Sequence, residues 1–324
     1  MSKRILLQEH QIGQHAQVAS LSSVSSHNSH DDGEKIPPLA AGAILAPAYS
    51  IVDHLQRTGL FDIYDVWSHE RQCSCVAKVL RADCLDDPRD HRRLRREGRF
   101  LQRFRHPHIV RAYEVIEAAQ PILILETLTG DTLEALIEER RRRLPLLDII
   151  YLGIHLCSAM HYLHRHGLLH LDLKPSNIIS TSGVAKVLDL SLARPPGRVH
   201  AGVGTRMYMA PEQARGGLLS AAADAWGIGA VLFEAASGVR PFAGYEKQMK
   251  YPQLEHQAVS IRSHRRVPAP FARAVDSCLE PDSARRPTIH ELALMLRESR
   301  AFCSSMDTLQ TSEVQPWLQT IPGD

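Results

Sequence analysis

The chain divides by the rhythm of its apolar positions. Runs at Ile51-Val52, Phe61–Val66 and Cys75–Leu80, joined by short polar connections, predict three strands. Asp87-Pro88 then opens a helix, with Asp as N-cap and Pro at the first helical position. It runs to Arg105, before Pro107, and Leu94, Leu101 and Phe104 fall on one face. Gly98 sits inside it, at about 1 kcal/mol of helix propensity below Ala. Two further strands, Ile109–Ile116 and Ile122–Glu126, complete a first lobe of five antiparallel strands and one main helix.

After Gly130 the pattern turns helical. Leu147–Arg165 is a long helix closed by Gly167. Ser220 caps another that runs to Gly238. Its residues Ala221, Ala225, Trp226, Ile228, Val231, Leu232 and Phe233 leave no polar face, so it is predicted at the centre of the second lobe. The last helix begins with the capping box of Thr288 and Glu291 and is expected to end near Ser299. The expected class is α+β and bilobal. Residues 1–48 are expected to be a flexible extension, 49–128 the first lobe, 129–300 the second, and 301–324 a polar tail. The extension carries the Ser/His/Asn tract Ser20–Ser29.

Composition narrows the function classes. With 324 residues, 44% of them hydrophobic, the chain can bury a large core. A formal net charge of +2 gives no global attraction to nucleic acid or to an anionic membrane. The basic clusters Arg92–Arg105 and Arg140–Arg143 read as solvated helix faces. The six cysteines lack metal-ligand spacing and read as reduced thiols; Cys73 and Cys75 are expected on one side of a strand. The N-terminus has no apolar signal region, and no stretch is expected to span a bilayer. These features imply a soluble, cytoplasmic protein; they set no oligomeric state.

The densest chemistry is His170-Leu171-Asp172-Leu173-Lys174-Pro175-Ser176-Asn177, between a helix and the short apolar strand Asn177–Ser180. This octapeptide resembles the catalytic loop of the eukaryote-like (Hanks-type) serine/threonine protein kinases, H-R-D-x-x-x-x-N. Phosphoryl transfer needs a carboxylate to receive a hydroxyl proton and cations to neutralise phosphates. The resemblance assigns the first role to Asp172, a γ-phosphate contact to Lys174, and Mg²⁺ coordination to Asn177. Further matches follow in family order. Val76-Ala77-Lys78 places Lys78 on the α- and β-phosphates, with Glu97 as its partner. Glu97 and His106-Pro107-His108-Ile109-Val110 keep the family spacing, and Glu126–Leu128 resembles the adenine-binding hinge. Asp189-Leu190-Ser191 stands where the family has D-F-G, with Asp189 on Mg²⁺. Gly204-Thr205, Ala210-Pro211-Glu212, Asp224-Ala225-Trp226-Gly227-Ile228-Gly229 and Arg286-Pro287-Thr288 match the later motifs, with Arg286 expected to pair with Glu212. The resemblance implies a kinase-like fold, ATP and Mg²⁺ as cofactors, and a protein substrate. It also implies nucleotide contacts from Gly59, Ile63, Val76, Glu126, Leu128 and Ile179 beside Lys78, and Thr205 among the catalytic residues.

Three departures bear on activity. The glycine-rich pattern G-x-G-x-x-G-x-V falls on Gln56, Thr58, Phe61 and Ile63; only Gly59 is glycine, off-position, so closer side chains obstruct the approach of backbone amides to phosphate. Leu171 replaces the Arg that receives an activation-segment phosphate in the family, and Leu192 to Gly204 offers no hydroxyl to carry one. Ser191 replaces the Gly of D-F-G, which reduces backbone freedom there. The expected function is transfer of the ATP γ-phosphoryl group to a protein Ser or Thr, independent of activation-segment phosphorylation. The alternative is a pseudokinase acting as a nucleotide-binding scaffold or interaction module; a small-molecule kinase ranks below both because A-P-E and its late Arg are present.

Overall fold

The computed structural model describes residues 36–139, 143–181 and 183–312, with side chains described through Ser304. The first lobe is built on strands β1 (Ile44–Ala46), β2 (Tyr49–Arg57), β3 (Phe61–Ser68) and β4 (Cys73–Leu80), helix α1 (Pro88–Arg103), and strands β5 (Ala112–Ile116) and β6 (Ile122–Glu126). They form one antiparallel sheet in the order β1-β2-β3-β4-β6-β5. The five expected strands are all present and a sixth, β1, joins them. The chain therefore enters the sheet before Tyr49. Leu39 N donates to Tyr64 Oη at 3.0 Å and Ile36 O accepts from Arg57 Nη1 at 2.8 Å. The Ser20–Ser29 tract lies outside the described residues.

Alternation along β4 sorts the lobe into two sides. Cys75, Ala77 and Val79 pack with Tyr49, Ile51, Tyr64, Val66, Ile122 and Ile124 in one apolar cluster. Cys73 packs against the same cluster, so the two cysteines share a side, and neither is in a disulfide. Val76 and Lys78 point the other way, toward α1 and the second lobe. Asp87 caps α1 by accepting from Arg89 N at 2.8 Å, and Leu94, Glu97, Gly98 and Leu101 form its buried stripe.

β5 starts at Ala112, later than the apolar run that begins at Ile109. The intervening backbone pairs across the lobes instead: Val187 N donates to His108 O (3.0 Å) and Val110 N to Val187 O (2.9 Å).

The second lobe starts with β7 (Asp131–Thr132), α2 (Leu133–Glu139) and α3 (Leu146–Arg165). It continues with β8 (Ile178–Thr181), β9 (Val184–Val187), β10 (Gly197–Val199), α4 (Pro211–Arg215) and β11 (Gly217–Leu219). Helices α5 (Ala221–Ser237), α6 (Ala269–Cys278) and α7 (Ile289–Ser312) close it. Ser220 caps α5, and from Ala223 to Phe233 that helix is buried on every side, as its composition predicts. By length and composition α3 could cross a membrane, contrary to the expectation that no stretch reaches that size; here half of its apolar window is buried, and it packs on α5 and α7. α7 continues past Ser299, which is buried inside the helix with its hydroxyl on Met295 O at 2.8 Å. No Gly or Pro interrupts the chain between Ser299 and Pro316 to stop it.

Gly98 is explained by space. A Cβ there would lie 2.2 Å from Val115 Cγ2 on β5 and 3.2 Å from Leu123 Cδ1. Helix propensity favours Gly98→Ala by about 1 kcal/mol, but overpacking of this kind costs about 1–3 kcal/mol. The variant is expected to melt at a lower temperature than wild type; a rise in Tm would show that the contact yields freely.

Candidate active site

The cleft between the lobes gathers residues from strands, helices and loops of both lobes. From β4, Lys78 Nζ donates to Glu97 Oε1 and Oε2 of α1 at 2.9 and 2.8 Å, and lies 3.4 Å from Asp189 Oδ2. It also sits 4.6 Å from the centre of the Phe61 ring. Lys78 and Glu97 are buried, while Asp189 keeps 28% of its side chain open to the cleft. Burial opposes the Lys78 charge, but the carboxylates of Asp189 and Glu97 more than offset it and hold its pKa above the ordinary lysine value. Burial also opposes the charge of Asp189, yet Lys78, the Ser191 amide and Arg93 keep its carboxyl far below the usual range. Burial, and then the Asp189 charge, push Glu97 upward. The result is a fixed ammonium beside an ionised carboxylate at the floor of the cleft.

The loop from His170 to Asn177 is held from below. Asp224 of α5 accepts from His170 N (2.9 Å), Leu171 N (2.8 Å) and His164 Nε2 (2.7 Å). Gln213 Nε2 of α4 donates to Leu171 O and Val203 O, both at 2.8 Å. These bonds over-determine a strained residue: Leu171 has φ +68°, a left-handed conformation a branched side chain rarely adopts. Its side chain is buried in the core of the second lobe. Gly204 (φ +124°) packs on the same spot; a Cβ there would meet Leu171 O at 2.8 Å.

Above this support, Asp172 faces the cleft. Its Oδ1 accepts from Thr205 Oγ1 at 2.6 Å, and Lys174 Nζ lies 3.0 Å from Thr205 Oγ1 and 3.5 Å from Asp172 Oδ2. Asn177 Nδ2 donates to Asp172 O (3.1 Å) and Oδ2 (3.3 Å), which leaves its amide oxygen for another partner. An ionised carboxylate and an amide oxygen are the hard donors a Mg²⁺ ion takes, so Asp189 and Asn177 fit that ion. Behind the site, α4 is tied to the core by Arg286, which donates to Glu212 Oε1 and Oε2 at 2.7 and 2.9 Å as expected.

The upper wall differs from a glycine-rich cradle. β2 and β3 meet in a tight turn in which Thr58 N donates to Phe61 O (2.8 Å) and Phe61 N to Thr58 Oγ1 (2.9 Å). Arg57 forks onto Asp62 (2.8 and 2.9 Å), and Arg81 reaches the carbonyls of Thr58 and Gly59. Gly59 sits at the tip in open space, where a Cβ would touch nothing within 4 Å. Ile63 pairs in register with Lys78, and Ile63, Val76 and Leu128 pack against the main core; Ile179 is half-buried on β8. The side chain of Glu126 is turned to Arg111 N (2.9 Å) and Lys186 Nζ (2.5 Å) and its amide donates to Arg111 O (3.0 Å), so its carbonyl is the group it could offer a ligand.

Sequence reading had no signal for three of these groups. In the sequence Phe61 reads as a missing glycine; in the fold its ring lies over Lys78. Gln213, buried, supports the loop from a position with no motif of its own. Arg93 and Arg96 on α1 looked like part of a solvated face, but both reach Ser191.

A histidine seam crosses the joint between the lobes. The His108 and His155 rings stack at 4.1 Å and His106 lies 5.5 Å from His108. Burial, and then the neighbouring His108, lower His106 and His155 to about 4. In the unfolded chain both titrate near about 6.5, so between about pH 4 and 6.5 the unfolded state binds more protons. Their contribution is complete above pH 6.5 and falls as pH drops toward 4. Glu234, pushed up to about 7 by burial, acts with the opposite sign. A His106→Gln/His155→Gln variant is therefore expected to lose less Tm than wild type between pH 7 and 5; equal losses would contradict the seam.

The protein kinase domain family matches residues 59–295. The chain belongs to that family. It is 32% identical over 212 residues to the serine/threonine-protein kinase PknB of Mycobacterium leprae, covering 62% of this chain and 34% of that protein. It is 30% identical over 262 residues to the DNA damage-responsive serine/threonine-protein kinase RqkA of Deinococcus radiodurans, covering 77% of this chain and 39% of the relative. The chain thus spans little more than a third of the length of these curated relatives. The crystal structure of the Mycobacterium tuberculosis PknI kinase domain superposes with a TM-score of 0.65 at 23% identity, over 81% of this chain and 100% of that one, a likeness of fold.

Proposed function

We propose that this chain transfers the γ-phosphoryl group of ATP to a Ser or Thr hydroxyl of a protein substrate. One observation carries this reading: Asp172, Lys174, Thr205 and Asn177 form a connected set facing the Lys78–Glu97–Asp189 group. Asp172 would accept the proton of the attacking hydroxyl as its oxygen bonds to phosphorus and the bond to the ADP oxygen breaks. Lys78 would hold the α- and β-phosphates, Lys174 the γ-phosphate. Ile63, Val76, Leu128 and Ile179 would enclose the adenine, with backbone groups of Glu126 and Leu128 at its edge. Mg²⁺, held by Asp189 and Asn177, would neutralise phosphate charge. The reading places the domain in the cytoplasm, a reducing compartment that supplies ATP.

Activity is proposed to need no phosphate on the activation segment. Leu171 is buried and apolar, and the segment is already docked, with β10 paired antiparallel to β11. Near the segment's end Thr205 is the one Ser/Thr hydroxyl, and it already bonds Asp172 and Lys174, while the Tyr208 hydroxyl is held on Glu234 at 2.7 Å. A phosphate there would set about −1.5 to −2 charges beside Asp172 and inhibit. Phosphatase-treated protein, checked by mass spectrometry, should keep the specific activity of untreated protein. Near-zero activity restored only with phosphate on Thr205 would overturn the point.

A second reading, a nucleotide-binding scaffold without transfer, is favoured by the turn at Thr58–Phe61. There the Phe61 amide is already taken and its ring covers Lys78. Binding of Mg·ATP with no labelled product would select it.

A further inference from the structure

Ser191 stands where the family carries glycine, and its side chain is not idle. It is buried at 2% exposure at the foot of α1. Arg93 Nη2 donates to its hydroxyl oxygen at 2.9 Å, and Arg96 Nη2 donates to its carbonyl at 3.0 Å. Its own amide donates to Asp189 Oδ1 at 2.6 Å. Arg93 lies one helical turn before Glu97 on the same face of α1. A closed circuit results: α1 to Ser191, Ser191 to Asp189, Asp189 to Lys78, and Lys78 back to Glu97 on α1.

Two further observations concern the surroundings of this contact. Arg93, Arg96 and Arg194 crowd together, and among the described residues none of them forms an ion pair with a carboxylate; burial and then the charges of Arg194 and Arg93 lower the pKa of Arg96. Arg93 Nε is also buried without a partner, so the Ser191 hydroxyl is a rare acceptor within reach of that guanidinium. A glycine at 191 would keep the amide and carbonyl but lose the bond to Arg93. Hydrogen bonds from a charged donor in a dry site are among the stronger ones.

We propose that Ser191 is a positioning residue, whose hydroxyl and carbonyl clamp Arg93 and Arg96 and so hold α1 where Glu97 meets Lys78 without any phosphate on the activation segment. This rests on the reading of the chain as an active kinase.

The test compares dephosphorylated wild type with Ser191→Ala, Arg93→Ala and the double variant. It reads kcat/KM for ATP and, independently, amide hydrogen exchange in 88–103 and in 221–237. Each single variant is expected to lower kcat/KM about tenfold, and the double variant by no more than the worse single, because the two side chains act through one bond. Exchange should quicken in 88–103 and stay unchanged in 221–237, which also shows that the variants remain folded. Wild-type kcat/KM in Ser191→Ala, or losses that multiply in the double variant, would overturn the clamp. If wild type transfers no phosphate, the kinase reading fails, and the exchange measurement decides the clamp alone: unchanged exchange in 88–103 rejects it.

Discussion

Asp172→Asn is expected to lower kcat by about 10²–10⁴-fold, the usual contribution of a positioned general base, with little change in Tm. The carboxylate is surrounded by donors: Thr205 Oγ1 on Oδ1, and Lys174 Nζ and Asn177 Nδ2 beside Oδ2. An asparagine would keep the shape but turn an NH₂ toward one of those donors and lose the proton acceptor. The loop itself should stay in place, because it hangs on Asp224 and Gln213 through its backbone. Steady-state kinetics on protein of verified Tm checks this. Undiminished kcat would remove Asp172 from the mechanism. Lys78→Ala acts differently: it leaves Glu97 buried without its cation, so weakened ATP binding should accompany the loss of rate.

Arg286→Ala is expected to give the largest loss of stability, about 3–5 kcal/mol by the usual cost of breaking a buried pair from one side. The Arg286 side chain is fully buried. It forks onto Glu212, donates to the carbonyls of Glu280, Ala222 and Pro281, and lies 5.0 Å from the Trp226 ring. Its removal orphans those carbonyls and frees α4 from α5. Arg286→Lys should recover only part of the loss, since an ammonium cannot reproduce the planar fork. Urea unfolding measures both; a midpoint shift within error for Arg286→Ala would show that the network relaxes around the gap.

Much of the fold and of the site is legible in the sequence. Motifs whose chemistry depends on residue type and spacing were readable, because Lys78, Glu97, Asp172, Asn177, Asp189, Glu212 and Arg286 must recur in one order for the parts to meet. The all-round apolar helix at Ala221–Ser237 was readable because a helix without a polar face has to be buried. Other features depended on tertiary partners that no local pattern reveals. β1 pairs as Ile44 opposite Ser50, from a stretch too short and mixed to read as a strand. The Ile109 region left its expected strand because Val187, distant in sequence, offered its backbone groups. The helix at Ile289–Ser312 outran its expected end because no Gly or Pro stops the chain before Pro316, and the hydroxyl of Ser299 is satisfied inside the helix by Met295 O. Arg93 and Arg96 looked solvated because charge in sequence says nothing about which carbonyl or hydroxyl lies within reach.

Incubation of the dephosphorylated protein with γ-labelled Mg·ATP and a protein acceptor, beside Asp172→Asn, followed by mapping of the labelled residues, tests the central claim most directly. The account predicts label on Ser or Thr with wild type and background label with Asp172→Asn. No transfer by wild type that demonstrably binds Mg·ATP, equal transfer by both proteins, or label chiefly on Tyr would contradict it.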